Sequence, residues 1–353
     1  MKILEIGPSD TKSRGGMATV INGIRNSRDL NARYQIDIFP SYIDGNFFLR
    51  LLYSSFAYVK FLFLYKKYDL FHIHTASYGS TFRKRIYLKK IKKAGKKAIV
   101  HIHGAKYLVF YNGLKEKDKK KVVNFLRSAD IVIALSDDWK EKFEQTFGLT
   151  NCVSLPNGID TDQFVDAICD PAQHQNSFVM LGRLGERKGA YDLVNAVEQA
   201  MKQNPKIKLY MAGDGEIDKV KALIAEKKLE NNIEVVGWVD FADKVKLLKK
   251  SATVVLPSYN EGLPMSILEG MAAGKAIIST TVGAIPEVVS KENGILIQAG
   301  DVPALAEALL QCSIDTEMIE RMGRANISKI NEKFSMRKMH KLLGQYYDLM
   351  GSQ

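Results

Sequence analysis

Short runs of almost purely apolar residues recur along the chain, separated by longer stretches in which apolar residues return every three or four positions. In the first part the runs fall at 2–6, 35–39, 70–74, 98–103 and 131–135. In the second they fall at 178–181, 208–212, 233–236, 253–256 and 276–279, with Gly294–Ile297 after them. Strands apolar at odd and even positions alike are covered on both faces, and helices between them supply the crossovers of a parallel sheet. The pattern therefore predicts an α/β protein with two open, doubly wound parallel sheets in succession. Helices are expected at 17–25 and at about 189–203, 216–228, 241–250 and 264–273, with two or three more closing the chain. Between the two series, Ser154-Leu-Pro-Asn-Gly-Ile-Asp160 and the polar stretch 161–176 mark a connection between domains. A length of 353 residues suits two domains.

Phe47 to Tyr65 departs from this alternation, being rich in Phe, Leu and Tyr. Arg50 and Lys60 fall inside it and Ser54 and Ser55 interrupt it, whereas a membrane span wants roughly 20 nearly uncharged residues. It is expected as a helix buried in the domain, with a helix dipped into a membrane interface as the alternative.

A hydrophobic content of 46% and a charged content of 25% exclude disorder and leave ample material for two cores. The isolated Cys152, Cys169 and Cys312 form no disulfide or metal framework and suit a reducing compartment. Met1 to Gly7 runs straight into a strand with no signal-peptide pattern, so a cytoplasmic protein is expected. The net charge of +12 is uneven: residues 1–157 hold 28 Lys and Arg against 13 Asp and Glu, the remainder 23 against 26. The excess positive charge of the first part implies an anionic partner: a nucleic acid, a membrane surface or a lipid-linked phosphate. Its densest cluster, with Arg83, Lys84, Arg85, Lys89, Lys90, Lys92 and Lys93, reads as a helix that is either a solvated face or a surface for that partner. No aromatics suited to base stacking are interleaved there, so nucleic acid is not expected.

In open parallel sheets ligands bind beyond the carboxyl ends of the strands, where glycine turns and helix N-termini gather. With two such domains the site is expected in the cleft between them. Strand 253–256 leads into Pro257-Ser-Tyr-Asn-Glu261, then Gly262-Leu263-Pro264 and a helix that stops at Gly274. Pro264 is expected at the first helical position and Gly274 as the C-terminal cap. The free N–H groups of that helix favour an anion such as a pyrophosphate, and Gly262 lets it approach the backbone. Glu261 stands before the helix and Glu269 within it, where a carboxylate can accept two hydrogen bonds from a vicinal diol such as a ribose. A glycosidase pair would need carboxyls held ~5–9.5 Å apart across a scissile bond, which a loop-plus-helix placement does not secure.

Strand 178–181 runs into Gly182-Arg183-Leu-Gly-Glu-Arg187-Lys188-Gly189, where Arg183 and Lys188 supply a planar fork and a point charge suited to a departing diphosphate. Whether Arg187 shares the role of Lys188 is left open by the spacing. Ala212-Gly213-Asp-Gly215 adds glycines against which a base or ribose can pack, and Gly237-Trp238 follows the next strand. In the first part, Gly15-Gly16 before a helix offers backbone N–H groups to a phosphate. His72 and His74, like His101 and His103, share one face of a strand. No Cys or carboxylate at diagnostic spacing joins them, so no metal is expected. His103 is expected to contact a sugar, with His101 turned to the same side or packed.

Taken in order, Gly15-Gly16, His101-Ile-His103-Gly104, Pro156-Asn-Gly-Ile-Asp160, Gly182-Arg183 with Lys188-Gly189, Ala212-Gly-Asp-Gly215, and Glu261-Gly-Leu-Pro with Glu269 resemble glycosyltransferase family four, of the GT-B architecture. The resemblance covers roughly residues 1–300. It implies two Rossmann-like domains with parallel sheets facing across a cleft: 1–157, joined by a final helix at about 335–353, for the acceptor, and 158–334 for the donor. It implies transfer with retention of configuration from a nucleotide diphosphate sugar, a UDP-sugar being expected, with no cofactor and no obligatory metal. By matching motif, Glu269 would hold ribose hydroxyls, Glu261 the transferred sugar, and Arg183 and Lys188 the diphosphate. Gly182, Gly213, Gly262, Leu263 and Pro264 would line the donor, Gly15 and Gly16 would abut the phosphate, and His103 would lie near the reacting centre. In the front-face mechanism of such enzymes the leaving phosphate oxygen takes the acceptor proton, so no protein nucleophile is needed.

The stretch His72–Arg85 with His101–Lys106 looks like that of bacterial enzymes assembling capsule, exopolysaccharide or O-antigen units on a lipid carrier. That implies a polyprenyl diphosphate-linked saccharide acceptor and a peripheral position on the inner face of the plasma membrane. The alternatives are a nucleotide-sugar 2-epimerase of the same architecture, using its carboxylates and His for acid–base work, and a non-catalytic sugar-nucleotide-binding partner subunit.

Overall fold

The computed structural model describes residues 1–9, 16–43, 47–104 and 106–351. The chain divides into two compact units, Met1–Gly158 with Met336–Gln353, and Ile159–Ser335. Each is built on a six-stranded parallel sheet. In the first unit β1 (Lys2–Pro8), β2 (Gln35–Tyr42), β3 (Leu70–Thr75), β4 (Lys97–Ile102), β5 (Ile131–Ala134) and β6 (Cys152–Ser154) lie in the order β2-β1-β3-β4-β5-β6. In the second, β7 (Ser177–Leu181), β8 (Lys208–Ala212), β9 (Ile233–Gly237), β10 (Thr253–Leu256), β11 (Ala276–Thr280) and β12 (Gly294–Ile297) lie in the order β12-β11-β10-β7-β8-β9. Strand order therefore reverses between β1 and β3 and between β7 and β10, and such reversals open crevices at the carboxyl ends of the strands. The edge strand β6 escapes the sequence pattern because three residues carry no period.

Packing follows the apolar pattern. Ile3, Leu70, Ile99 and Ile131 form one face of the first sheet, covered by the helices Gly16–Arg25 and Met336–Gly351, the latter contributing Met339, Leu343 and Tyr347. The closing helix is also tied by polar groups: the Tyr34 hydroxyl donates to the Gly344 carbonyl at 2.9 Å, and Arg33 pairs with Asp348. In the second unit Phe178, Met180, Met211 and Val255 pack against Leu193 and Val197 of the helix Ala190–Met201 and Leu309 of Val302–Ile314.

The apolar stretch forms the helix Phe47–Leu64, and its expected burial is corrected by the structure. Among its described side chains only Ala57 and Phe61 turn fully inward, where the Phe61 ring meets Phe39, Phe71 and Tyr87 at centroid distances of 6.0, 5.9 and 4.9 Å. The outer side leaves Phe48 74%, Leu52 70%, Phe56 68% and Phe63 78% exposed, with Leu49, Leu51, Val59 and Leu62 exposed beside them. Phe48–Lys67 is long and apolar enough to cross a membrane by length and composition, with a mean hydropathy of 1.2. One side of it is nonetheless packed on its own sheet.

The basic cluster lies on the helix Gly79–Lys93. Lys89 and Lys93 are exposed, and Arg83, Arg85, Lys90 and Lys92 are partly so. Arg83 lies over the Tyr42 ring, Lys90 over Tyr65, and Lys92 pairs with Asp130 at 2.7 Å. Lys84 is a correction to the expected surface: it is buried and donates to Ser41 Oγ. Burial, reinforced by Arg83, pushes its pKa well below the ordinary lysine value, so it adds no charge to an outward face.

Candidate active site

Beyond the ends of β7 and β10 two loops are bonded to each other. The Tyr259 N–H donates to the Arg187 carbonyl at 2.9 Å, and the Arg187 guanidinium donates to the Asn260 carbonyl at 2.9 Å. This holds Glu261 almost buried against Lys188, whose Nζ lies 2.6 Å from Oε1; the side chains are 7% and 13% exposed. The Ser258 hydroxyl donates to the same Oε1 at 2.8 Å, and Arg187 stands 3.6 Å from it. Three partners thus crowd one oxygen, while Oε2 has none among the described residues and is not sealed from solvent. Glu269, on the helix Met265–Ala272, repeats the arrangement: Lys244 Nζ meets Oε1 at 2.6 Å and Oε2 is uncommitted. Each carboxylate is oriented by a lysine and keeps one accessible acceptor.

Gly283, with φ of +59°, lies so close that a Cβ there would sit 2.0 Å from the Glu261 carbonyl. Gly213 serves the neighbouring turn in the same way: a Cβ would fall 1.9 Å from the Gly182 carbonyl, so that glycine is required by loop against loop. Arg183 is 67% exposed and faces Asp214 at 3.7 Å, away from the Lys188–Glu261 pair in its contacts. Pro264 is the residue before the helix, with ψ of 125°, and not its first helical residue. Gly262, Leu263 and Pro264 are buried, the Gly262 carbonyl accepting from the Ala284 N–H at 3.0 Å. The N–H groups of Met265 and Ser266 find no acceptor among the described residues, leaving the donors that an anion would use. Gly274 follows the helix with φ of +67°.

In the first unit Gly16 is the exposed first residue of Gly16–Arg25, and Gly15 lies outside the described residues. The four histidines come together. His74 sits opposite His101 in the β3–β4 register, and Glu5 opposite His72 in β1–β3. Glu5 is fully buried and accepts from Tyr347 Oη at 2.6 Å, with His72 Nδ1 at 3.0 Å and His74 Nε2 at 2.5 Å. Ring nitrogens of His72, His74 and His101 lie within 4.8 Å of one another, close enough for a metal, but all except His101 Nε2 are engaged in hydrogen bonds within the cluster. Glu5, Ser258 and Lys244 were missed in the sequence. Only Glu5 had a signal there, a lone acid inside an apolar strand.

Burial alone would raise the Glu5 carboxyl, but charge and hydrogen bonds from His72 and His74 outweigh it and hold the group well below the usual carboxylate range. Burial, then His72, lowers His74 to about 4, and burial with its histidine neighbours pushes His101 well down. Below the ordinary histidine value the unfolded chain binds protons that the folded chain refuses, so stability falls with pH. Glu5 acts in the same sense, its contribution being lost as pH falls through its folded value. Stability is expected to drop as pH falls from 6.5 to 5, His74 and His101 each contributing on the order of 1 kcal/mol per pH unit. Denaturant titrations at pH 7, 6 and 5 measure this, and a flat profile would contradict it.

Comparison with known proteins gives first the class. Sucrose-phosphate synthase from Thermosynechococcus elongatus matches with a TM-score of 0.82 over 100% of this chain and 99% of that chain, at 19% identity. Anabaena Alr3699/HepE in complex with UDP-glucose matches with a TM-score of 0.79 over 99% of each, at 20% identity. The fold is that of GT-B glycosyltransferases. The family model described as Glycosyltransferase Family 4 matches residues 15–163, and that described as Glycosyl transferases group 1 matches 175–315. The chain belongs to glycosyltransferase family four. It is 25% identical over 226 residues to a Mycobacterium tuberculosis glycogen synthase, the match spanning 63% of this chain and 55% of that relative's length. To the Escherichia coli UDP-Gal:alpha-D-GlcNAc-diphosphoundecaprenol alpha-1,3-galactosyltransferase it is 27% identical over 308 residues, 81% of this chain and 76% of the relative.

Proposed function

We propose that this glycosyltransferase moves a sugar, with retention of configuration, from a nucleotide diphosphate sugar to a lipid-linked saccharide in bacterial surface polysaccharide assembly. The observation that carries the donor half is the pair Glu261 and Glu269, each held by a lysine through one oxygen with the other free to accept from a hydroxyl. Glu269 takes ribose hydroxyls and Glu261 those of the transferred sugar. Lys188, with Arg183 swinging in from its exposed position, neutralises the diphosphate as charge develops on the leaving oxygen. These cations supply positive charge that a metal would otherwise provide, and the leaving phosphate oxygen accepts the acceptor's proton. The Escherichia coli UDP-Gal-dependent relative and the UDP-glucose complex of HepE favour a UDP-sugar.

The acceptor half rests on the first unit. Between residues 47 and 97 the chain holds thirteen Lys and Arg and one acid, Asp69, and all thirteen except the buried Lys84 reach the surface of the unit that carries the outward apolar side of Phe47–Leu64. An apolar helix face rimmed by cations suits the interface of an anionic bilayer, where a helix lies in the plane and does not cross. On this reading the protein works on the inner face of the plasma membrane, where a polyprenyl diphosphate saccharide is presented.

Thermal stability measured with UDP-, GDP- and ADP-sugars tests the donor reading: the true donor at a hundred times its Kd is expected to add about 2.7 kcal/mol. No stabilisation by any nucleotide or nucleotide sugar would overturn it. Release of an epimerised nucleotide sugar without acceptor would instead mark an epimerase.

A further inference from the structure

His103, expected from the sequence to contact the transferred sugar, sits in surroundings that the proposed donor chemistry does not use. Five ionisable side chains of the first unit, Glu5, His72, His74, His101 and His103, form one connected hydrogen-bond network with Tyr347. Four of the five are sealed inside the fold. An ionised carboxylate has no hydrogen to give, so every neighbour of Glu5 must donate to it, and a neutral imidazole has one donor nitrogen and one acceptor. Those two facts fix each proton in turn.

His74 donates from Nε2 to Glu5 Oε2, which leaves its Nδ1 bare. That nitrogen lies 2.9 Å from His103 Nε2, so His103 must carry its hydrogen on Nε2 and present a bare Nδ1. The other branch behaves consistently. With the Tyr347 hydrogen on Glu5, His72 donates from Nδ1, its Nε2 accepts from His101 Nδ1 at 3.3 Å, and His101 Nε2 is left bare. His101 Nε2 is indeed the one ring nitrogen of the cluster that is buried without a partner. Desolvation, then His74 and His72, keeps His103 below the usual histidine range, so it is neutral near pH 7. Its Nδ1 has no partner among the described residues.

We infer that Glu5, acting through His74, is a positioning residue that holds His103 in the Nε2–H tautomer, so that His103 meets its ligand as a hydrogen-bond acceptor. The ligand group it selects is therefore a hydroxyl that donates, not a carbonyl, phosphate oxygen or ether. This rests on the reading that His103 contacts the transferred sugar. A donor sugar whose hydroxyl at that place is missing or methylated loses its partner, and the bare nitrogen rejects it.

The test uses the full chain labelled with 15N histidine, without ligand, in two-bond proton–nitrogen correlation spectra, with His103 assigned by the disappearance of its signals in His103→Asn. The expected spectrum shows protonated Nε2 and bare Nδ1 for His103; a protonated Nδ1 overturns the inference, and this holds even where other variants fail to fold. Glu5→Gln offers an amide hydrogen to His74 Nε2, which releases the constraint. It is expected to shift His103 to the other tautomer or a mixture and to lower donor kcat/KM roughly 10–100-fold. Tyr347→Phe removes a bond to the same carboxylate without touching the His74 branch, and is expected to change neither. Glu5→Gln with an unaltered His103 tautomer, or an altered tautomer with unaltered turnover, overturns the inference. Absence of any donor turnover in the unmodified protein defeats the proposed function instead, while the spectrum still decides the tautomer.

Discussion

Glu261→Gln is expected to lower kcat/KM for donor use by about 10²–10³-fold, the usual effect of removing one polar group that steadies a reacting centre. Glutamine keeps the shape and can keep the Ser258 bond, but it loses the charge facing Lys188 and weakens the acceptor offered to a sugar hydroxyl. Stability should respond differently. Removing either partner of this nearly buried pair leaves a charge uncompensated and should cost about 3 kcal/mol, whereas removing both should cost well under the sum. The four-cornered comparison of Glu261→Gln, Lys188→Met and the double variant separates the two roles. Unfolding free energies should show strong coupling, and activity should stay low in the double variant. Recovery of turnover in the double variant would mean that the pair only braces the loop.

Replacing Phe48, Leu52, Phe56 and Phe63 together by Ser is expected to reduce binding to anionic vesicles more than about 10³-fold, since each apolar side chain buried is worth about 1.5–3 kcal/mol. All four point outward, so the melting temperature should hardly move. Vesicles of phosphatidylcholine alone should bind more weakly, and added salt should loosen the anionic vesicles, because the neighbouring Lys and Arg contribute about 1 kcal/mol each near a charged surface. Sedimentation with liposomes reads both effects. Unchanged vesicle binding would refute the assignment, and a shift from dimer to monomer in the fourfold variant would show that this side covers a second copy of the chain instead.

The helix Phe47–Leu64 does not show its exposure in the sequence. Its outward and inward residues are equally apolar, so no period distinguishes a helix surrounded by protein from one packed on a single side. Only the meeting of Phe61 with Phe39, Phe71 and Tyr87, against the exposure of Phe56 and Phe63, makes the difference visible. Lys84 shows the converse. In a run of seven cations it is indistinguishable from its neighbours, yet helical geometry turns it inward to Ser41. Pro264 differs by one residue, as helix ends commonly do.

By itself the sequence determined the two parallel sheets, and it singled out Glu261, Glu269, Lys188 and His103 at their strand ends as the candidate site residues. Those follow from local period, glycine turns and residue order, which are properties of neighbours along the chain. Tertiary structure alone decided which groups face one another: Lys188 on Glu261, Lys244 on Glu269, and Glu5 at the root of the histidine network. Such pairs join strands and helices tens of residues apart. Their register is settled by the packing of whole sheets, so charge orientation and tautomer, on which the proposed chemistry depends, emerge only when the chain is folded.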